Sequence, residues 1–180
     1  MANLDGQLTT VAGRHVDYVT ILIGANDVCK SSVSAMTPVA TFRAQLDTAL
    51  AHFTTVSPTT LILVASVPNI YNLWSILKNN SSARSIWALG SICQSMLANP
   101  TSTAAADVNR RAEVQQRNVE YNVQLAQTCT TYSQCRFDGN AIYNTVFTTA
   151  DVNTRDYFHP STSGQARLAA VTWAASYWAP

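Results

Sequence analysis

An Asp and a His stand three residues apart late in the chain, Asp156 and His159 in "TRDYFHPSTSGQARLAA". Such a pair can do general-base chemistry. A His base needs its second ring nitrogen oriented, and a nearby carboxylate does this while stabilising the imidazolium. Much earlier, Gly24-Ala25-Asn26-Asp27 closes an apolar run. A Gly there permits a sharp turn and the close approach of a ligand. An amide N–H of Asn26 is a good donor to the oxyanion that forms during acyl transfer. Each motif also has a plainer reading. Gly, Asn and Asp favour turns at strand ends, and Asp156 or Ser161 can serve as a helix cap.

These residues need elements to hold them. Val16 to Ile23 reads as a buried strand broken at Gly24, and Thr60 to Val67 as a second, ended by Pro68. Between them, Val39, Phe42, Leu46, Ala49 or Leu50, and Phe53 recur at helical spacing, with Pro38 near the first turn. A strand–helix–strand unit of this kind predicts parallel strands with a right-handed crossover. "NLWSILKN" and "ARSIWALGSICQSML" predict two helices. Ala105 to Thr128 predicts a long one, with Val108, Ala112, Val119, Val123 and Ala126 inward. A short strand is expected near Arg136–Phe137, with a turn at Asp138-Gly139. The last helix is expected from Ser163 to Tyr177, with Leu168, Val171, Ala175 and Trp178 on one stripe. This order predicts one α/β layer fold over residues 1–180. Ligands on such sheets sit beyond the carboxyl ends of the strands, where the Gly24–Asp27 turn falls.

Composition excludes several functions. Apolar residues are 47% of the chain and charged residues 12%, with a net charge of +1. That is enough for a core and too little charge for a disordered chain. No basic run exists beyond Arg110-Arg111, so nucleic-acid binding is not expected. No apolar run approaches the roughly 18 residues that would span a bilayer. The start, Met1-Ala2-Asn3-Leu4-Asp5-Gly6, has neither the basic region nor the apolar core expected of a signal peptide. Cys129 and Cys135 flank "TTYSQ" closely enough for a short bridged loop, which leaves Cys29 and Cys93 for each other, although four Cys allow three connectivities. No spacing suits zinc. His15 and His52 read as structural, and Trp74, Trp87, Trp173 and Trp178 as core or rim.

Taken together and in this order, the two motifs resemble blocks of the SGNH or GDSL-type hydrolases, most closely their secreted actinobacterial-like esterase/lipase branch. Gly24-x-Asn26-Asp27 is similar to that family's third block, and Asp156-x-x-His159-Pro160-Ser161 with Gly164-Gln165-Ala166 to its fifth. The resemblance extends over "DYVTILIGANDVC", "MTPVATFRAQLD", "VASVPNIYNLW", "SMLANPTST" and "CRFDGNAIY". It implies a three-layer, flavodoxin-like α/β fold with a parallel sheet. It implies ester hydrolysis without cofactor or metal, on a small ester or lipid substrate, by a secreted protein. Asn26 would be the oxyanion donor, with Gly24 shaping its turn, and His159 and Asp156 two members of a triad.

The family's first block, a Gly-Asp-Ser that carries the nucleophile, does not occur in this sequence. Nor does a recognisable second block, whose Gly adds an oxyanion donor. The chain is therefore expected to begin inside the family sequence, with the first strand missing. Three accounts follow: a truncated piece, a protein using another Ser, or a ligand-binding protein without turnover. Substitutes to consider are Ser31, Ser32, Ser34, Ser66 and Ser161, with Ser66 best placed at a strand end. A vacated sheet edge would favour a homo-oligomer.

Overall fold

In the computed structural model, which describes residues 1–178, three short strands form the sheet. These are β1 (Tyr18–Leu22), β2 (Leu61–Ala65) and β3 (Cys135–Phe137), parallel and in the order β1-β2-β3. β1 pairs with β2 from Tyr18↔Leu61 to Leu22↔Ala65, and β2 with β3 from Ile62↔Cys135 to Val64↔Phe137. The strands are shorter than the apolar runs that predict them: β1 and β2 span five residues each, inside Val16 to Ile23 and Thr60 to Val67. Leu22, Ala65 and Phe137 leave the sheet on the same edge, so the turns that follow them converge there.

Eight α-helices complete the described chain: α1 (Leu4–Ala12), α2 (Ala25–Val28), α3 (Val39–Val56), α4 (Ile70–Leu77), α5 (Ser81–Leu89), α6 (Gln94–Leu97), α7 (Ala105–Cys129) and α8 (Thr162–Ala174). The helical stripe on α3 is realised as predicted. Phe42, Leu46, Ala49, Leu50 and Phe53 are no more than 1% exposed. Phe42 stacks on Tyr121 of α7 with ring centroids 4.1 Å apart. α1, unanticipated, buries Leu4 and Leu8 on the side where it meets α3. Asn69 and Asn80 cap α4 and α5 by accepting from the backbone N–H of Asn72 and Ala83. The second predicted helix of this region splits into α5 and α6. Gly90 ends α5, and Ser91 and Cys93 take left-handed conformations that no helix can continue through.

The inward face of α7 is not the predicted one. Val108, Val119 and Val123 are 46%, 37% and 43% exposed, and Ala112 is exposed as well. The buried stripe runs instead through Arg111, Val114, Asn118, Tyr121, Asn122, Leu125 and Thr128. Apolar periodicity pointed to the wrong face because much of the true one is polar and finds hydrogen-bond partners inside. α8 ends at Ala174 rather than Tyr177, and its predicted stripe is only half-buried, with Trp178 49% exposed. Its one buried position is Gly164. Both expected disulfides are present, Cys29–Cys93 and Cys129–Cys135. The first ties the end of α2 to the start of α6; the second ties the end of α7 to β3. Among the described residues no helix is long and apolar enough to cross a membrane.

Candidate active site

The Asp156–His159 loop is built from its backbone upward. An antiparallel bridge, Val152↔Pro160, closes its base, and His159 O accepts from Asn153 N at 2.8 Å. Inside it Tyr157 adopts φ 53°, a left-handed turn that folds the chain back on itself. Asp156 holds that turn. Its Oδ1 accepts from Phe158 N at 2.9 Å and His159 N at 3.0 Å, and its Oδ2 meets Nδ1 of His159 at 2.6 Å. Burial would raise the Asp156 pKa. Hydrogen bonds from the His159 ring and from the two backbone N–H groups outweigh it and hold the carboxyl below its ordinary value. The imidazole is thus fixed at Nδ1 while 71% of the side chain stays open to solvent.

Three contacts from elsewhere seat this loop. Trp87 on α5, 1% exposed, donates its indole N–H to Tyr157 O at 3.0 Å. Ser161 caps α8 by accepting from Gly164 N, while its hydroxyl donates to Ala150 O at 2.8 Å. Asp151 accepts from Thr148 N and Thr148 Oγ1 and pairs with Arg167 at 3.1 Å, which joins the 3-10 turn Thr149–Asp151 to α8. Hydrogen bonding to the Thr148 backbone is the chief cause of a lowered Asp151 pKa. Gly164 lies so close to this turn that a Cβ there would sit 2.1 Å from Asp151 O.

The Gly24 turn lies at the carboxyl edge of β1. Gly24 has φ 111°, and a Cβ would meet Val67 Cγ2 at 2.7 Å. Only glycine satisfies both conditions. It caps α2, whose first turn exposes Asn26 and buries Asp27. The Asp27 carboxylate accepts from Thr37 Oγ1 at 2.8 Å and pairs with the Met1 ammonium. It therefore anchors the turn and faces inward, while Asn26 faces an open cleft. Val67, the neighbour of Gly24, is itself clamped from α7: its N–H donates to Asn122 Oδ1 at 2.7 Å and its C=O accepts from Asn122 Nδ2 at 3.1 Å.

The two motifs meet at adjoining hollows. An apolar cavity of about 140 Å³ is lined by Ala25, Ile70, Leu73, Ile76, Phe158 and His159, among others. A wider cleft of about 760 Å³ is lined by Gly24, Ala25 and Asn26. Ala25 belongs to both, so the fold brings the glycine turn and the His159 loop to one place. Sequence reasoning missed Trp87, Asn118, Asn122 and Asp151 as the residues that hold these loops. Asn118 and Asn122, four apart on one helix, were the available signal.

Ser66 is not placed to replace the missing nucleophile, despite its position at a strand end. It is fully buried, donates to Asp138 Oδ2 at 2.8 Å and accepts from Tyr143 N at 3.0 Å. Its hydroxyl is spent on the β3 turn. Ser161 is the α8 cap, and Ser32 accepts from Ala35 N and bonds Ser34. Among the described residues no side chain hydrogen-bonds to Nε2 of His159. His52 pairs with Asp5 at 2.7 Å on the far side, a structural contact between α3 and α1.

A parallel sheet packed by helices, with the two motif turns at its carboxyl edge, is consistent with the α/β fold of an SGNH-type hydrolase. The chain belongs to the GDSL-like lipase/acylhydrolase family, whose profile matches residues 1–167. Membership places it among hydrolases. No curated protein and no solved structure matches the chain.

Proposed function

We propose that this protein hydrolyses carboxylic esters by acyl transfer to water, with His159 as general base, Asp156 as its orienter and Asn26 as an oxyanion donor. The observation that carries this reading is the exposed imidazole of His159, fixed at Nδ1 by Asp156 on the rim of an apolar cavity. With Nδ1 engaged, Nε2 is the nitrogen left to take a proton from an attacking hydroxyl and return it to the leaving group. The cavity wall of Ile70, Leu73 and Ile76 suits a short acyl chain of a small ester or lipid. Asn26 and the Gly24 turn border the cleft in which a carbonyl would develop its negative charge. The chemistry calls for no metal or cofactor. Two disulfides suit an oxidising, extracellular setting, where the protein is proposed to work.

A second reading is a binding protein that does not turn its ligand over. It is favoured by one fact, that no hydroxyl contacts Nε2 of His159 among the described residues. Short-chain p-nitrophenyl ester turnover separates the two. On the hydrolase reading, His159→Ala lowers kcat by about 10³-fold or more. A fluorophosphonate should then label a single serine, and mass spectrometry would identify it. Turnover unchanged by His159→Ala would remove the site from the reaction. No turnover and no adduct would leave the binding reading.

A further inference from the structure

A second hollow lies on the other side of α4, away from His159. It has a volume of about 430 Å³ and is walled by Tyr71, Trp74, Lys78, Ser102, Arg111 and Gln115. Nothing in the proposed hydrolysis uses it. α4 separates the two cavities, with Ile70, Leu73 and Ile76 on the acyl side and Tyr71, Trp74 and Lys78 on this one.

The electrostatics of this hollow are one-sided. Arg111 is only 3% exposed, yet no carboxylate pairs with it among the described residues. The nearby Asp107 is engaged by Arg110 at 3.1 Å. Arg111 Nη2 donates to Ser102 O at 2.7 Å, but Nη1 is buried with no hydrogen-bond partner. The guanidinium lies 4.6 Å from the centroid of the Trp74 ring, and the Lys78 ammonium 4.4 Å from the same centroid. Two cations thus share one indole. Cation–π contact offsets part of the desolvation of Arg111, but a buried cation is ordinarily paired or solvated. Burial, reinforced by the like charge of Arg110, pushes the Arg111 pKa down. The lining contains no Asp or Glu, while Thr101, Ser102, Thr103 and Gln115 add neutral polar groups.

We propose that this cavity binds a small oxyanion, the carboxylate or phosphate group of a small molecule, between Arg111 and Lys78. The anion supplies the missing counter-charge at the cavity wall. Arg fits the planar or forked face of such a group, and Lys adds a point charge. The size is within the range of small-ligand sites. This inference is independent of ester hydrolysis.

The test is a ¹⁵N–¹H NMR titration of the whole chain at constant ionic strength, with inorganic phosphate in one arm and acetate in the other. The Trp74 indole N–H, which donates to Pro100 O at 2.8 Å, reports from the wall. Saturable shifts of that signal and of the Arg111 and Ser102 amides are expected in at least one arm. Saturation by phosphate alone assigns a phosphoryl ligand, and by acetate alone a carboxylate. Lys78→Gln, a half-exposed position outside the proposed catalytic residues, should weaken the saturating arm at least tenfold. A linear, unsaturated drift in both arms would overturn the proposal. So would saturation with equal affinity in Lys78→Gln.

Discussion

At the scale of single residues, Asp156 has two jobs, and they can be separated. Its Oδ1 holds the loop through two backbone N–H groups, and its Oδ2 holds the imidazole. Asp156→Asn can keep an oxygen toward the backbone. It then presents an amide N–H to His159 Nδ1, which forces the wrong tautomer. Turnover should fall about 10³- to 10⁴-fold, with a modest fall in melting temperature from the lost carboxylate. Turnover that falls only as far as the folded fraction at the assay temperature would mean that the residue acts only through the fold. Acid behaviour follows from the same carboxylates. The pKa values of Asp156 and Asp151 are both lowered in the folded chain. A depressed carboxyl stabilises the fold fully above its unfolded value, about 3.9 for Asp, and that stabilisation is lost as pH falls through the folded value. The melting temperature should therefore be level above about pH 5 and drop below about pH 4. Asp151→Asn should lower the plateau and shrink the acid drop. An acid limb identical to wild type would exclude Asp151 as a contributor.

Elements matter here mainly as clamps on loops. α7 presents Asn118 and Asn122 to the chain after β2, where Val67 and Ile70 need partners for backbone groups that are out of reach of water. α5 presents Trp87 to the His159 loop. α8 does so by being absent at one point: Gly164 lets its first turn lie against Asp151 O. Gly164→Ala places a methyl 2.1 Å from that oxygen, so the helix must shift. Ala would otherwise favour a helix, by about 1 kcal/mol. The expected result is the reverse, a destabilisation of about 1–3 kcal/mol in urea unfolding, with loss of ester turnover as the His159 loop moves. A gain in stability would show that this contact does not constrain the loop. The Cys29–Cys93 bridge acts in the same sense. It pins the end of α2, next to Asn26, to the start of α6 across a separation of 64 residues.

The whole molecule presents an open edge. Among the described residues β1 has a strand neighbour on one side only, and Leu22 on it is 50% exposed. Trp173 and Trp178, 58% and 49% exposed, add apolar surface. An unpaired parallel strand of this kind is a template for another chain. We propose self-association through the β1 edge. Light scattering should show mass rising with protein concentration. If the partner copy completes the site at Nε2 of His159, specific activity should fall on dilution along the same curve. A monomer at all concentrations, with constant specific activity, would end that idea.

What the sequence determined by itself was whatever depends on near neighbours in the chain. The βαβ unit follows from two apolar runs around the Phe42–Phe53 stripe. The Asp156–His159 pair and the Gly24 turn follow from short spacing and backbone freedom, since an Asp can reach a His three residues on and only Gly accepts φ 111° beside Val67. Tertiary structure decided what depends on distant partners. The inward face of α7 could not be read from hydrophobicity. Arg111, Asn118 and Asn122 are polar in sequence and become buried only because a ring face or a loop backbone, dozens of residues away, receives them. Ser66 had the right address at a strand end, yet Asp138 and Tyr143 N, brought beside it by β3, took its hydroxyl. A hydrogen-bonding group has few directions to offer, and which partner occupies them is settled only when separate elements pack together.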